Sequence, residues 1–335
     1  MRVRTLSAMR SIDWVDGAVE LIDQTALPAR LTTLRITTVE DLVAAIQRLA
    51  VRGAPALGVA GAFGVALAAR IHASDPAARD AAVRRLETAR PTAVNLARGV
   101  RRAAARLADG PDAVLAEALA VRDEEIAASQ AMAARGADLL VELCGPRPRM
   151  LTHCNTGALA AVVGGTALGV LMELHRRGNL GSVIASETRP LLQGARLTSW
   201  ELARAGIEFR VAVDGAGPFL MARGEVDGVI LGADRICANG DTINKIGTYA
   251  HALGARRAGI PFVVVAPEST VDPTTACGAD VEIEDRGADE VLSAVDGAPE
   301  SAGVANPAFD VTPYDLITAI VTDQRVIRLD RGERV

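Results

Sequence analysis

Apolar residues follow two patterns along the chain, and the change between them lies near residue 150. Downstream, short continuous apolar runs at Met150–Cys154, Ser182–Glu187, Glu208–Val213, Gly228–Leu231 and Pro261–Ala266 alternate with stretches of helical periodicity. Strands buried on both faces read as such runs, and a spacing of roughly thirty residues is that of repeated strand-helix-strand units. The second half is therefore expected to form a doubly wound parallel sheet in an α/β fold. Upstream, residues 1 to about 30 read as short strands, with Val15-Asp16-Gly17 as a hairpin signal, before Ala/Arg-rich helical sequence runs to about residue 145. Cys144-Gly145-Pro146-Arg147-Pro148 punctuates the junction. The expected domains are a smaller, mostly helical one over 1–145, with a short antiparallel sheet, and an α/β one over 146–335.

Composition narrows the function classes. At 335 residues, 50% hydrophobic and 23% charged, the chain has the apolar mass for one large or two ordinary domains. A net charge of -5 and 3% aromatics leave out the basic stripes and stacking rings of a nucleic-acid surface, so no nucleic-acid partner is expected. The start, MRVRTLSAMRSIDW, lacks the continuous apolar core of a signal peptide, and no charge-free apolar stretch reaches spanning length. A cytoplasmic protein without a membrane partner is expected. Cysteines at 144, 154, 237 and 277 show no C-x-x-C spacing and histidines at 72, 153, 175 and 251 are scattered, so neither a metal site nor disulfides are expected. His153 and Cys154 are neighbours, but adjacent side chains on a strand point to opposite faces, which rules out a nucleophile-base dyad between them.

The densest polar chemistry follows the apolar run Gly228–Leu231. GADRICANGDTINKIGTY (232–249) crowds two carboxylates, two asparagines, a lysine and three glycines, and reads as an active-site loop with Asp234 at a strand's carboxyl end. Its plainer alternative is a helix-capping Asp. In a parallel sheet all carboxyl ends share one edge, so Cys154-Asn155-Thr156-Gly157, Glu187-Thr188-Arg189-Pro190 leading into Gln193-Gly194-Ala195-Arg196, Asp234, and Asn244-Lys245 are expected around one crevice. A strand-end cysteine is ordinarily a small buried hydrophobe; polar neighbours lift Cys154 above that reading, while Cys237 and Cys277 stay with it. Thr156-Gly157 reads as a helix start with free N–H groups for an anion. Arg189 and Arg196 read equally as ion-pair partners of Glu187 and Glu201 or as ligand contacts. Lys245, between apolar and small neighbours, reads as a phosphate contact.

In the first half, Val51-Arg52-Gly53-Ala54-Pro55-Ala56 interrupts the helical pattern in a form that lets N–H groups and one guanidinium grip a phosphate, against the alternative of an ordinary helix-helix turn. Arg90-Pro91-Thr92-Ala93-Val94-Asn95 repeats the theme of an arginine before a proline at a helix start. Gly164-Gly165 and Gly215-Ala216-Gly217 match neither G-x-G-x-x-G nor the Walker spacing, which disfavours a dinucleotide or nucleoside triphosphate.

These blocks also carry a family resemblance. RGAPALGVAGAFG (52–64), RPTAVNL (90–96), LTHCNTGALA (151–160), ETRPLLQGARLTSWEL (187–202), GADRICANGDTINKIGTY (232–249), PFVVVAPEST (261–270) and NPAFDVTP (306–313), in order over nearly the whole chain, resemble the methylthioribose-1-phosphate isomerases. The resemblance implies a helical amino-terminal domain followed by a Rossmann-like domain. It also implies a homodimer and a metal-free, cofactor-free aldose-ketose isomerisation of 5-methylthioribose 1-phosphate in methionine salvage. By the same resemblance the catalytic residues fall on Cys154 and Asp234, and the substrate contacts on Arg52, Gly53, Ala54, Arg90, Gln193, Asn244 and Lys245. Asp234, held partly desolvated, would be the acid at the ring oxygen or the group that manages the C2 hydroxyl proton, with Cys154 as proton relay or transition-state stabiliser. The sequence departs from the family where Ala97-Arg98-Gly99 follows RPTAVNL in place of an aromatic residue, and where Phe63 stands at a position often held by tyrosine. Isomerases of 5-deoxyribose 1-phosphate and of ribose 1,5-bisphosphate are therefore alternatives. So is a non-catalytic binding module, since the fold also serves regulatory subunits of a translation initiation factor.

Overall fold

The computed structural model describes residues 10–91, 93–294, 296, 299 and 301–335. The reading of the first nine residues as no leader, and Thr92 of RPTAVNL, lie outside the described residues. The chain divides into two compact units, Met1–Ser129 with Gly157–Gly165, and Gln130–Thr156 with Thr166–Val335.

The first unit opens with an antiparallel sheet of β1 (Ile12–Val15), β2 (Ala18–Ile22) and β3 (Thr33–Ile36). Asp16 and Gly17 form its two-residue hairpin turn, both with positive φ (45° and 79°), as that turn type requires. Helices α1 (Val39–Gln47), α2 (Ala54–Ile71), α3 (Pro76–Glu87) and α4 (Val94–Ala104) follow, and α5 (Pro111–Cys144) belongs to this unit as far as Ser129. Side chains of Thr38 and Asp75 cap α1 and α3 by accepting the amides of Asp41 and Ala78. Helix α2 is long and apolar enough to cross a membrane by composition, yet 83% of it is buried, because every residue from Pro55 to Ala69 lies in the core of this unit. It packs on α4 without side chains between: a Cβ on Gly99 would stand 2.0 Å from the Gly58 carbonyl oxygen.

The second unit contains β4 (Met150–Thr152), α6 (Ala167–Arg176), β5 (Val183–Ser186), α7 (Ser199–Ala205), β6 (Phe209–Ala212), α8 (Ala216–Ala222), β7 (Gly228–Leu231), β8 (Arg235–Cys237) and β9 (Thr242–Lys245). It continues through α9 (Thr248–Ala258), β10 (Phe262–Val265), β11 (Val271–Asp272), α10 (Asp289–Leu292), β12 (Phe309–Thr312), β13 (Ala319–Val321) and β14 (Val326–Ile327). All five expected strands lie within the apolar runs that predict them. Among the described residues they form, together with β13 and β14, a seven-stranded sheet in the order β14-β13-β10-β7-β4-β5-β6, parallel except for the edge strand β14. Strands β4, β5, β7 and β10 are buried throughout, which is why they read as unbroken apolar runs. In chain order the first six strands run 3-2-1-4-5-6, the Rossmann arrangement, and the order reverses between β4 and β7. The fold is α/β as expected.

One expectation needs correction. Gly232–Tyr249 is not a single loop: it contains β8 and β9, an antiparallel pair within a separate four-stranded sheet, β11-β8-β9-β12. Its outer strands come from distant sequence, β11 beside β8 and β12 beside β9.

Candidate functional site

The crevice beyond the reversal between β4 and β7 is where such sheets bind ligands. Cys154 lies two residues past β4, with a left-handed φ of 60°. Its amide donates to Thr188 Oγ1 at 2.8 Å and its carbonyl accepts from Thr198 Oγ1 at 2.6 Å. Thr188, in the turn after β5, is itself left-handed at φ 66° and fully buried. The Asp214 carboxylate holds that turn by accepting the Ser186 hydroxyl and the amides of Thr188 and Arg189. Burial pushes the Asp214 carboxyl up, but these donors outweigh it and leave its pKa below the ordinary value.

Gln193 is buried, and its Oε1 has no hydrogen-bond partner. Next to it, Gly194 starts a π-turn to Thr198, and a Cβ there would fall 1.7 Å from the Ser186 carbonyl oxygen. Buried Asn155 donates to Glu201 Oε1 at 2.7 Å, fastening the β4 loop to α7. Thr156-Gly157 does not begin a helix: α6 starts at Ala167, and Thr156 Oγ1 accepts the Leu168 amide at its first turn. Arg189 donates to the carbonyls of Pro190 and Val291, and Arg196 to that of Leu191.

The end of β7 meets the β4 loop directly, since a Cβ on Gly232 would lie 2.9 Å from Thr156 Cγ2. Asp234 follows, with its amide donating to the Ile243 carbonyl at 2.9 Å. The residue is exposed and directly precedes the hairpin strand β8. On β9, Asn244 donates to Thr248 Oγ1 and is buried. Lys245 is buried too; its ammonium donates to the Ala308 carbonyl at 2.6 Å and sits 4.7 Å from the Phe309 ring centroid. Across from Asn244, Asp310 accepts the amides of Gly247 and Tyr249 through Oδ2 at the start of α9, and burial raises its pKa to about 6.

His153 turns away from this chemistry. Its Nε2 is 2.8 Å from the Ile246 carbonyl and so carries the proton, which leaves Nδ1 to accept from His251 Nε2 at 3.3 Å. Burial lowers the pKa of His153 to about 4 and that of His251 to about 3, so both rings are neutral at physiological pH. The pair ties the β4 loop to the end of β9. Sequence reasoning did not single out His251, Asp214 or the clamping roles of Thr188 and Thr198. Thr188 and Thr198 lie inside a quoted block, but nothing in spacing assigns a hydroxyl to a particular amide.

In the first unit, Gly53 precedes α2 with φ 90°, and a Cβ there would stand 2.4 Å from the Ala160 carbonyl oxygen, so only glycine fits. The Ala56 amide donates to that same carbonyl. Neither α2 nor α4 has a side-chain cap at its start, but in the first turn of α2 Pro55 has no N–H and the Ala56 and Leu57 amides already donate to the Ala160 and Gly53 carbonyls. Arg52 precedes α2 and Arg90 precedes α4. Gly58 packs near Asn95, and Gly61 near Leu96 and Val100, so the two helix starts lie toward the same end. Among the described residues, no group of three or more His, Cys, Asp or Glu side chains could hold a metal ion.

Comparison with known proteins identifies the setting. Residues 50–328 match the Initiation factor 2 subunit family. A probable bifunctional methylthioribose-1-phosphate isomerase/methylthioribulose-1-phosphate dehydratase of Nocardia farcinica is 54% identical over 95% of this chain, which spans 59% of that longer relative. The methylthioribose-1-phosphate isomerase of Anaeromyxobacter dehalogenans is 53% identical, covering 92% of this chain and 91% of the relative. A 5-deoxyribose 1-phosphate isomerase of Moorella thermoacetica is 49% identical, covering 95% and 93%. The crystal structure of 5-methylthioribose 1-phosphate isomerase from Pyrococcus horikoshii superposes with a TM-score of 0.90 at 38% identity, over 98% of this chain and 95% of that one. The chain belongs to the initiation factor 2 subunit family and, within it, to the methylthioribose-1-phosphate isomerases.

Proposed function

We propose that the protein isomerises 5-methylthioribose 1-phosphate to 5-methylthioribulose 1-phosphate, with Cys154 and Asp234 as its catalytic residues. The observation that carries the reading is that Cys154, Gln193 and Asp234 stand on loops at one edge of the parallel sheet, around its reversal, in a chain of this family. Phosphorylation of the C1 oxygen prevents spontaneous opening to an aldehyde, so the bond from C1 to the ring oxygen must break with the phosphate in place. Asp234 protonates the ring oxygen or takes the C2 hydroxyl proton, with bound substrate excluding water from it. Cys154 relays the proton or stabilises the transition state as hydrogen moves from C2 to C1. The unpartnered Gln193 oxygen accepts a sugar hydroxyl. Arg52, Gly53, Ala54 and Arg90, with Asn244 and Lys245, hold the phosphate and the ring. The same reading makes the protein a cytoplasmic homodimer that needs no metal or other cofactor.

The Moorella thermoacetica relative favours one second reading, 5-deoxyribose 1-phosphate as substrate, which would keep every role above and change only the pocket for the 5-substituent. The test is to incubate purified protein with 5-methylthioribose 1-phosphate, 5-deoxyribose 1-phosphate and ribose 1,5-bisphosphate and follow ketose formation by NMR. Fastest turnover of the first supports the proposal; preference for the second moves the substrate, and no turnover of any sugar phosphate sinks it.

A further inference from the structure

We infer that Thr188 and Thr198 are positioning residues that clamp the Cys154 backbone in its left-handed conformation and thereby fix where the thiol meets the substrate. The inference rests on the isomerase reading for its catalytic consequence, but the clamp itself is a matter of geometry. An L residue other than glycine is unfavourable at positive φ, and it persists there only where its surroundings over-determine it. At Cys154 they do so from both sides. Thr188 Oγ1 takes the amide at 2.8 Å, and Thr198 Oγ1 donates to the carbonyl at 2.6 Å.

Each hydroxyl is itself committed. Thr188 donates its own hydroxyl proton to the Ser186 carbonyl at 3.0 Å, which leaves its lone pairs turned to the Cys154 amide. Thr188 is β-branched at φ 66°, a rarer state still, and Asp214 holds it there through its amide at 2.8 Å. Thr198 also receives the Asn155 amide nitrogen at 3.3 Å and closes the π-turn that begins at Gly194. Insertions of that kind in a helix recur at functional sites. Two hydroxyls 34 and 44 residues further along the chain therefore hold the two peptide units on either side of Cys154. Both threonines are at most 1% exposed, so their influence on a substrate runs through the cysteine.

The test compares Thr188→Ala and Thr198→Ala with Thr188→Ser and Thr198→Ser. Iodoacetamide labelling, located by peptide mass, gives the reactivity of Cys154, with Cys144, Cys237 and Cys277 as internal references. Isomerase assays give kcat and KM separately. The alanine variants should change the labelling rate of Cys154 but not of the reference cysteines, and lower kcat about tenfold to a hundredfold while KM stays within about threefold. Serine, which keeps the hydroxyl, should restore both. If Thr188→Ala does not fold, Asp214→Asn loosens Thr188 with its hydroxyl in place and should act in the same direction. Unchanged Cys154 labelling in the folded alanine variants, or a loss that serine does not rescue, overturns the inference. Labelling reads the clamp even if the wild-type protein turns over no sugar phosphate, so failure of the isomerase reading and failure of the clamp remain distinct results.

Discussion

Acid should destabilise the second unit, and the buried histidine pair should account for most of the loss. In the folded protein the pKa is about 4 for His153 and about 3 for His251, against 6.5 for an ordinary imidazole. Both values are depressed by burial, so the stability they represent is present above pH 6.5 and is lost as the pH falls through that range toward 4 and 3. The unfolded chain takes up protons there that the folded chain refuses. At pH 5 each histidine accounts for a loss of about 2 kcal/mol relative to pH 8. Asp310 acts in the opposite sense. Burial raises its pKa from 3.8 to about 6, so the folded form binds its proton first and recovers about 1.4 kcal/mol at pH 5. The net expectation is a loss of about 2 to 3 kcal/mol between pH 8 and pH 5. Urea unfolding in a Trp14→Phe background measures this, because Trp200 on α7 is then the sole tryptophan and reports on the second unit. His251→Asn should remove about 2 kcal/mol of the pH-dependent loss. Equal pH dependence in the variant and its parent, or greater stability at pH 5 than at pH 8, would refute the reasoning.

Three further outcomes follow from close packing and from the proposed phosphate site. Gly53→Ala combines a φ of 90° with a contact of 2.4 Å to the Ala160 carbonyl, so it should displace the Arg52–Ala54 turn and raise KM, read by steady-state kinetics. Gly99→Ala forces α2 and α4 apart at a 2.0 Å approach and should destabilise the first unit by about 2 to 3 kcal/mol, read by urea unfolding. Lys245→Ala should raise KM for the sugar phosphate; unchanged KM and kcat would remove it from the phosphate site.

How much of this was legible in the sequence depended on whether the determining contacts were local. The core strands were, because burial on both faces demands continuous apolar runs, and Val183–Ser186, Gly228–Leu231 and Phe262–Val265 supply them. The Asp16-Gly17 hairpin was legible for a similar reason, since few residue pairs tolerate two positive φ values. The β8-β9 hairpin was not. Its strands are three and four residues long, carry polar side chains, and are completed by Val271–Asp272 and Phe309–Thr312 from far along the chain. Within the candidate site, Cys154 and Asp234 stood out through their polar neighbours at strand ends. The exposure of Asp234 did not, because it depends on how that hairpin folds. Asp214 is invisible in one sequence: an aspartate in the turn before α8 carries no mark of the three donors that meet it.

The central claim is that Cys154 and Asp234 perform the isomerisation rather than bind the substrate. The most direct measurement pairs kcat on 5-methylthioribose 1-phosphate with substrate affinity by calorimetry for the wild type, Cys154→Ser and Asp234→Asn. The account predicts that both variants bind the sugar phosphate with affinity close to wild type and lose kcat by about a hundredfold or more. Retained kcat in either variant, or a loss explained wholly by weaker binding, would contradict it.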